Sequence, residues 1–169
     1  VVGLQILVTA CEAELIYLDM RINVKKSVCL RFGARCSSNC ACIVTSSGSP
    51  LQWVSKCRYL GVYFVSGRVF RCSFDEAKGK FFRACNAIFS KVGRFASEEV
   101  VISLMRAKCL PCLLYAVESC PVYNRDKRSF DFTLTRWLMK LFRTGSVDII
   151  TECQMCFNVL PLRYQIDIR

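Results

Sequence analysis

The chain has no histidine. Ser-His and Cys-His nucleophilic couples are thereby excluded, and any zinc site would have to be built from thiols and carboxylates alone. No glycine-rich loop is present to cradle a phosphate. The longest apolar run, Cys109 to Val117, is nine residues and is interrupted by Pro111, whereas a bilayer-spanning helix needs about 20; no membrane crossing is expected. Adjacent acids occur only as Asp75-Glu76 and Glu98-Glu99, each where a helix should begin and where dipole and capping account for them. The opening residues lack the charged, apolar and small-residue order of a signal peptide, and the first residue is Val1, not Met, which is how a fragment of a longer polypeptide would begin.

Acid is also missing locally. From Met20 to Phe74 there is no Asp or Glu, while Arg21, Lys25, Lys26, Arg31, Arg35, Lys56, Arg58, Arg68 and Arg71 contribute nine positive charges. The formal net charge of +11 is therefore distributed as −3 over residues 1–19, +9 over 20–74 and +5 over the rest, where fifteen basic residues face ten acidic ones. A surface this one-sided suits polyanions.

Cysteine is plentiful, with thirteen residues, an odd number. At 53% hydrophobic the chain can build a core without staples. The expectation is of mostly free thiols in a reducing compartment: intracellular, in nucleus or cytoplasm, and not secreted. Cys109-x-x-Cys112 and Cys153-x-x-Cys156 have zinc-like spacing, and Cys36, Cys40 and Cys42 cluster. Against a metal, the first pair straddles Pro111 in an apolar helical stretch and 40 residues separate the pairs. No metal site is expected, because buried cysteine commonly serves as a small apolar residue.

At 169 residues the chain can be one ordinary domain or two small ones. Leu4, Leu7, Val8, Cys11, Leu15, Leu18 and Ile22 recur at three- and four-residue steps and predict an amphipathic helix. Val28, Leu30 and Phe32 then alternate with Cys29 and Arg31 as in a half-buried strand. Turn formers fill 33–50 around a short Ile43-Val44 strand, and Leu51 to Val54 and Tyr59 to Val65 are rich in aromatic and β-branched residues. A small antiparallel sheet is expected.

After Phe74 the period becomes helical. Ser73 and Glu76 have the spacing of a capping box, and Phe74, Ala77, Phe81, Cys85, Ile88, Phe89 and Val92 mark one apolar face. A second helix should run from Ser97 until Pro111 ends or kinks it, a third should carry Phe130, Leu134, Trp137, Leu138 and Leu141 up to Thr144-Gly145, and a short one should lie near Glu152 to Leu160. Lys80, Arg83, Lys91 and Arg94 share one face of the first of these helices. Arg125, Arg128, Arg136, Lys140 and Arg143 repeat the arrangement on the later one. Each stripe alone can be an ordinary solvated face; two stripes and an acid-free sheet together point to nucleic acid.

The segment Ile22-Asn23-Val24-Lys25-Lys26-Ser27 leading into a strand, and Trp53 followed by Arg58-Tyr59-Leu60-Gly61-Val62, form an ordered series. It continues through Lys80-Phe81-Phe82 with Asn86-Ala87-Ile88, Cys109 to Tyr115 with Glu118, and Arg136 to Thr144. This series resembles reverse transcriptases of non-LTR retrotransposons, the LINE or jockey-like group, over nearly the whole chain.

The resemblance implies an α+β fragment: residues 1–72 as the closing part of a polymerase palm and 73–169 as a helical thumb. Lys25 or Lys26 would stand where a proton can be given to leaving pyrophosphate, or would simply solvate a helix end. Arg58, Tyr59, Leu60 and Gly61 would form a primer-grip hairpin, with the glycine letting backbone approach a primer's 3′ end. Lys80, Arg83, Lys91, Arg94, Arg136, Lys140 and Arg143 would join the acid-free sheet in a groove for an RNA template and DNA primer, as an RNA:DNA hybrid. Family catalysis uses two metal ions on carboxylates, including an aromatic-Ala-Asp-Asp turn. That turn is absent here, so Mg²⁺ belongs to the full-length parent, this portion needs no cofactor, and upstream palm and fingers of the same polypeptide would be its partners. The alternatives are a standalone nucleic-acid-binding module derived from such an element, or a zinc-stabilised interaction domain.

Overall fold

The computed structural model describes residues 2–93 and 95–169. The chain is α+β and divides into two compact units, Val1–Cys72 and Ser73–Arg169.

The first unit opens with helix α1, Val2–Tyr17, which stops five residues short of Ile22. Asp19 adopts a left-handed backbone (φ 54°), and Met20 N–H bonds back to Leu15 O at 2.8 Å, closing the helix in the manner of a Schellman turn. The half-buried side of α1 carries Leu4, Gln5, Val8 and Leu15 together with Glu12, which is buried; Leu7, Cys11 and Leu18 of the expected stripe are exposed. Polar partners decide that rotation. The Glu12 carboxylate accepts from Ser46 N at 2.8 Å and Ser46 Oγ at 3.3 Å, and the Gln5 amide pairs with both Val44 N and Val44 O. Satisfied hydrogen bonds to strand-edge backbone thus outweigh an apolar stripe that has no matching surface to cover.

Strands β1 (Val28–Leu30), β2 (Ile43–Val44) and β3 (Pro50–Val54) form one sheet in the order β1-β3-β2. It is mixed, not purely antiparallel: β1 runs parallel to β3, with Cys29 opposite Trp53, and β2 runs antiparallel to it, with Ile43 opposite Leu51. Cys29, Ile43 and Leu51 are the buried cluster, with Leu4, Val8, Ile22, Val24 and Trp53 packed against it. The inward face of β1 is consequently that of Cys29, while Val28 is exposed, the reverse of the alternation expected from Val28, Leu30 and Phe32.

Strands β4 (Lys56–Tyr59), β5 (Val62–Val65) and β6 (Arg71–Ser73) form a second sheet. The Tyr59 to Val65 segment is a hairpin corner, not one strand. Tyr59 pairs with Val62 across a two-residue turn in which both Leu60 (φ 47°) and Gly61 (φ 85°) are left-handed, the backbone of a type I′ turn.

The second unit is helical. Helix α2, Asp75–Val92, buries Phe81 and Cys85 and leaves Ala77, Ile88, Phe89 and Val92 half-buried along the expected face. Its start differs from the expected capping box. Phe74 is the N-cap, the Ser73 hydroxyl bonds to Asp75 at 2.9 Å, and Glu76 instead accepts from Arg83. Helix α3, Glu98–Leu104, passes through a π-helical turn, Met105–Cys109, into α4, Leu110–Leu113. Pro111 therefore lies inside the helical path instead of ending it. Pro111 has no N–H to donate, and the wider turn ahead of it moves away the carbonyl its ring would meet. The Glu98–Ser119 segment is long and apolar enough to cross a membrane, which a count of uninterrupted apolar residues overlooked. In this fold Val101, Ile102, Met105, Cys109, Leu110, Leu113 and Leu114 are buried core, while Arg106 and Lys108 are exposed.

Helix α5, Asn124–Phe142, supplies Phe130, Leu134, Trp137, Leu138 and Leu141 to the same core, where Phe81 meets Trp137 edge-on and Phe74 packs on Phe130. It stops at Arg143, just before the expected Thr144-Gly145, and Arg143 itself takes the left-handed position (φ 52°). Helix α6, Val147–Cys156, starts earlier than expected because the Ser146 hydroxyl caps it, accepting from Ile149 N. Helix α7, Leu162–Asp167, closes the unit through Lys127–Asp167 and Arg163–Asp131 pairs to α5. Among the described residues none of the cysteines forms a disulfide.

Candidate nucleic-acid interface

In the first unit the β4–β5 hairpin carries the expected Arg58, Tyr59, Leu60 and Gly61. Strand alternation puts Lys56 and Arg58 on one face, and register places Tyr63 directly opposite Arg58. The Lys56 ammonium lies 4.4 Å and the Arg58 guanidinium 6.0 Å from the Tyr63 ring centroid. This is a cation–aromatic surface with both cations exposed. Tyr59 faces the other way and approaches Phe64, which continues through Phe70 to Phe32. The hairpin is thus basic on one side and anchored on the other by a run of tilted and edge-on aromatic contacts. At its tip Leu60 is 75% exposed in a backbone conformation that leucine rarely adopts.

Lys25 and Lys26 are exposed on a turn between α1 and β1, not at a helix end. Asn23 organises that turn: its Oδ1 and carbonyl both accept from Lys26 N, and the carbonyl also accepts from Ser27 N.

In the second unit Lys80, Arg83 and Lys91 are exposed along α2, away from its buried face. Arg94 lies outside the described residues. Arg83 is engaged with Glu76 at 2.9 Å, so its charge is partly neutralised. On α5, Arg136 and Lys140 line a groove of about 720 Å³ shared with α2, and Lys80, Arg83 and Lys91 do not line it. Arg143 is exposed at the end of α5. The two stripes therefore occupy different surfaces of this unit.

Lys78 and Phe132 of the groove carry no expectation from sequence, and Asn86 enters there only within Asn86-Ala87-Ile88. Lys78 is held between Asp75 at 2.8 Å and Ser129 Oγ at 3.0 Å, Asn86 accepts from Lys140 at 2.8 Å, and Phe132 stands beside Arg136. Phe132 falls one turn before Arg136 on the polar side of α5, and an aromatic interrupting a basic stripe was the available signal. Lys56 and Tyr63 were legible in the same way from hairpin register.

The thiols are packing groups where they are buried. Burial pushes the Cys85 thiol well above the ordinary range, and it raises the Cys109 and Cys29 thiols too. Cys109 is buried and Cys112 exposed, so the two thiols of that zinc-like pair lie in different surroundings. Among the described residues no three Cys, Asp or Glu side chains come together as metal ligands. The carboxylate set for the Mg²⁺ implied by a polymerase parent is not among these residues. No family model matches the sequence, and comparison with curated proteins and with solved structures gave no match.

Proposed function

We propose that this chain is a nucleic-acid-holding portion of a reverse transcriptase of the non-LTR retrotransposon type, the first unit corresponding to the end of the palm and the second to the thumb. Its role in that reading is to hold RNA template and DNA primer by their phosphates, not to catalyse phosphoryl transfer. The observation that carries the reading is charge placement. Lys80, Lys91, Arg136, Lys140 and Arg143 are exposed, and among the described residues no carboxylate pairs with them. Arg58 and Lys56 add a second exposed basic surface backed by Tyr63. Unpaired surface cations repel one another unless an external polyanion neutralises them. Duplex phosphates do so without regard to sequence.

The test is a titration of the full chain against an RNA:DNA hybrid across salt concentrations. Affinity should fall linearly on a log–log plot against salt, with equal affinity for hybrids of different sequence. Binding that ignores salt would overturn the reading, as would a marked base preference.

A further inference from the structure

Holding a duplex by phosphates requires charge but no exposed ring. The α2–α5 groove nevertheless carries one: Phe132 is 61% exposed, on a helix whose other large aromatics are buried (Phe130, Trp137) or half-buried (Phe142). The Arg136 guanidinium lies 5.7 Å from its centroid, one helical turn further along. The neighbouring cation is held in place as well, since Lys140 is fixed by Asn86 at 2.8 Å. Gly79 on the α2 side leaves the groove wall without a side chain. At about 720 Å³ the groove is of the size that accepts a small-molecule-sized group.

An exposed aromatic set among fixed cations is the arrangement by which proteins hold single strands, each base stacking on a ring while its phosphate meets Lys or Arg. We infer that this groove takes one unpaired nucleotide of a single strand, its base against Phe132 and its phosphate between Arg136 and Lys140. The inference rests on the nucleic-acid reading above and adds to it a site for unpaired strand, separate from the exposed stripe of α2.

The experiment measures fluorescence anisotropy of the full chain with a labelled thymidine decamer, the same decamer made abasic, an RNA:DNA hybrid, and adenosine monophosphate as competitor. The decamer should bind about tenfold more tightly than its abasic form, the difference that one stacked base supplies. Phe132→Ala should erase that difference while leaving abasic and hybrid affinities as in the unaltered chain, and Phe132→Trp should restore it. Phe132 is exposed, so the folded state should survive the change. Gly79→Leu gives an independent variant that adds a side chain at a groove-lining position and leaves Phe132 itself unaltered; a Cβ there meets only the end of the Arg83 side chain, at 3.4 Å. It should also erase the decamer preference. A preference that persists in both variants overturns the inference, as does monophosphate binding as tight as the decamer's. If the hybrid binds with a steep salt dependence while decamer and abasic strand bind alike, this inference fails and the proposed function stands. If none of the nucleic acids binds at low salt, the proposed function fails and this inference with it.

Discussion

Lys140 donates from Nζ to Oδ1 of Asn86 at 2.8 Å, joining α5 to α2 beside the groove that both residues line. The same ammonium lies 5.7 Å from the Phe89 ring centroid. A cation held by a neutral partner keeps its charge for an anion, whereas one held by a carboxylate has largely spent it.

Lys140→Gln separates the two roles of this side chain. The amide can still donate to Asn86, so the urea midpoint should move little. The slope of log affinity for an RNA:DNA hybrid against log salt should flatten by about one unit, the loss of one phosphate contact. Asn86→Ala should do the reverse, costing about 0.5–1 kcal/mol for one exposed hydrogen bond while leaving the slope unchanged. A flattened slope in Asn86→Ala would show that the tie, not the charge, matters for binding.

Arg83 and Lys91 share a face of α2 but differ in their partners, because Glu76 neutralises Arg83 at 2.9 Å. Lys91→Gln should therefore flatten the salt slope by about one unit, and Arg83→Gln by clearly less. Glu76→Gln should steepen it by releasing the guanidinium. Equal effects of Lys91→Gln and Arg83→Gln would mean that the ion pair opens freely in solution, as exposed pairs worth less than about 1 kcal/mol can.

Periodicity located α2 and α5 because each buries an apolar face long enough for the 3.6-residue repeat to emerge, from Phe74 through Val92 and from Phe130 through Leu141. It misplaced the buried side of α1, where Glu12 and Gln5 face strand-edge backbone and the apolar residues are spread around the helix. Polar anchoring of that kind has no period. The inversion of β1 has a similar origin: Cys29 counts as a weak signal in sequence, yet is the residue that meets Ile43 and Leu51. Pro111 suggested a helix end or kink, and the continuous path taken instead uses a π turn, which depends on local hydrogen-bond slippage that no residue pattern announces. The basic stripes were legible as faces; Glu76 lies two turns before Arg83 on the same helix, so that pair is local to α2, whereas the placement of Phe132 in a groove depends on how α5 packs against α2.

Stability should fall at alkaline pH. Burial raises the Cys85, Cys109 and Cys29 thiols above their ordinary value of 9.0, so the folded chain keeps protons that the unfolded chain releases. The stabilising difference is intact below about pH 9 and is lost progressively as pH rises above it, with a slope near 1.4 kcal/mol per pH unit for each thiol involved. Guanidinium melts from pH 7 to pH 10.5 measure this. Cys85→Ala should shallow the alkaline decline in the second unit, and a decline unaffected by that change would place its origin in other groups.

Gly79 sits within α2 with ordinary helical surroundings, its Cβ position open except for the end of Arg83. Gly79→Ala should raise the stability of the second unit by about 0.5–1 kcal/mol, because alanine loses less backbone freedom on becoming helical. Thermal or urea unfolding checks it. A loss of stability would show that the helix needs close approach of another group at that position.

Leu60 and Gly61 form the hairpin turn with both backbones left-handed, at φ 47° and 85°. A type I′ turn favours Asn-Gly, and a leucine at its first position costs on the order of 1 kcal/mol in backbone strain. Leu60→Asn should therefore stabilise the first unit by about that amount, and Gly61→Ala should destabilise it by a similar amount. Strain of this kind persists where a side chain has another use, and Leu60 is exposed at the tip of a hairpin whose basic face carries Lys56 and Arg58. A hairpin that grips a primer and one that merely packs part on affinity. If its tip approaches a primer strand, Leu60→Asn should give a more stable protein that binds an RNA:DNA hybrid more weakly, with an unchanged salt slope because no charge has been removed. A more stable variant with undiminished affinity would show that the hairpin only packs, and that nucleic acid is held by Lys56, Arg58 and the helical surfaces of the second unit.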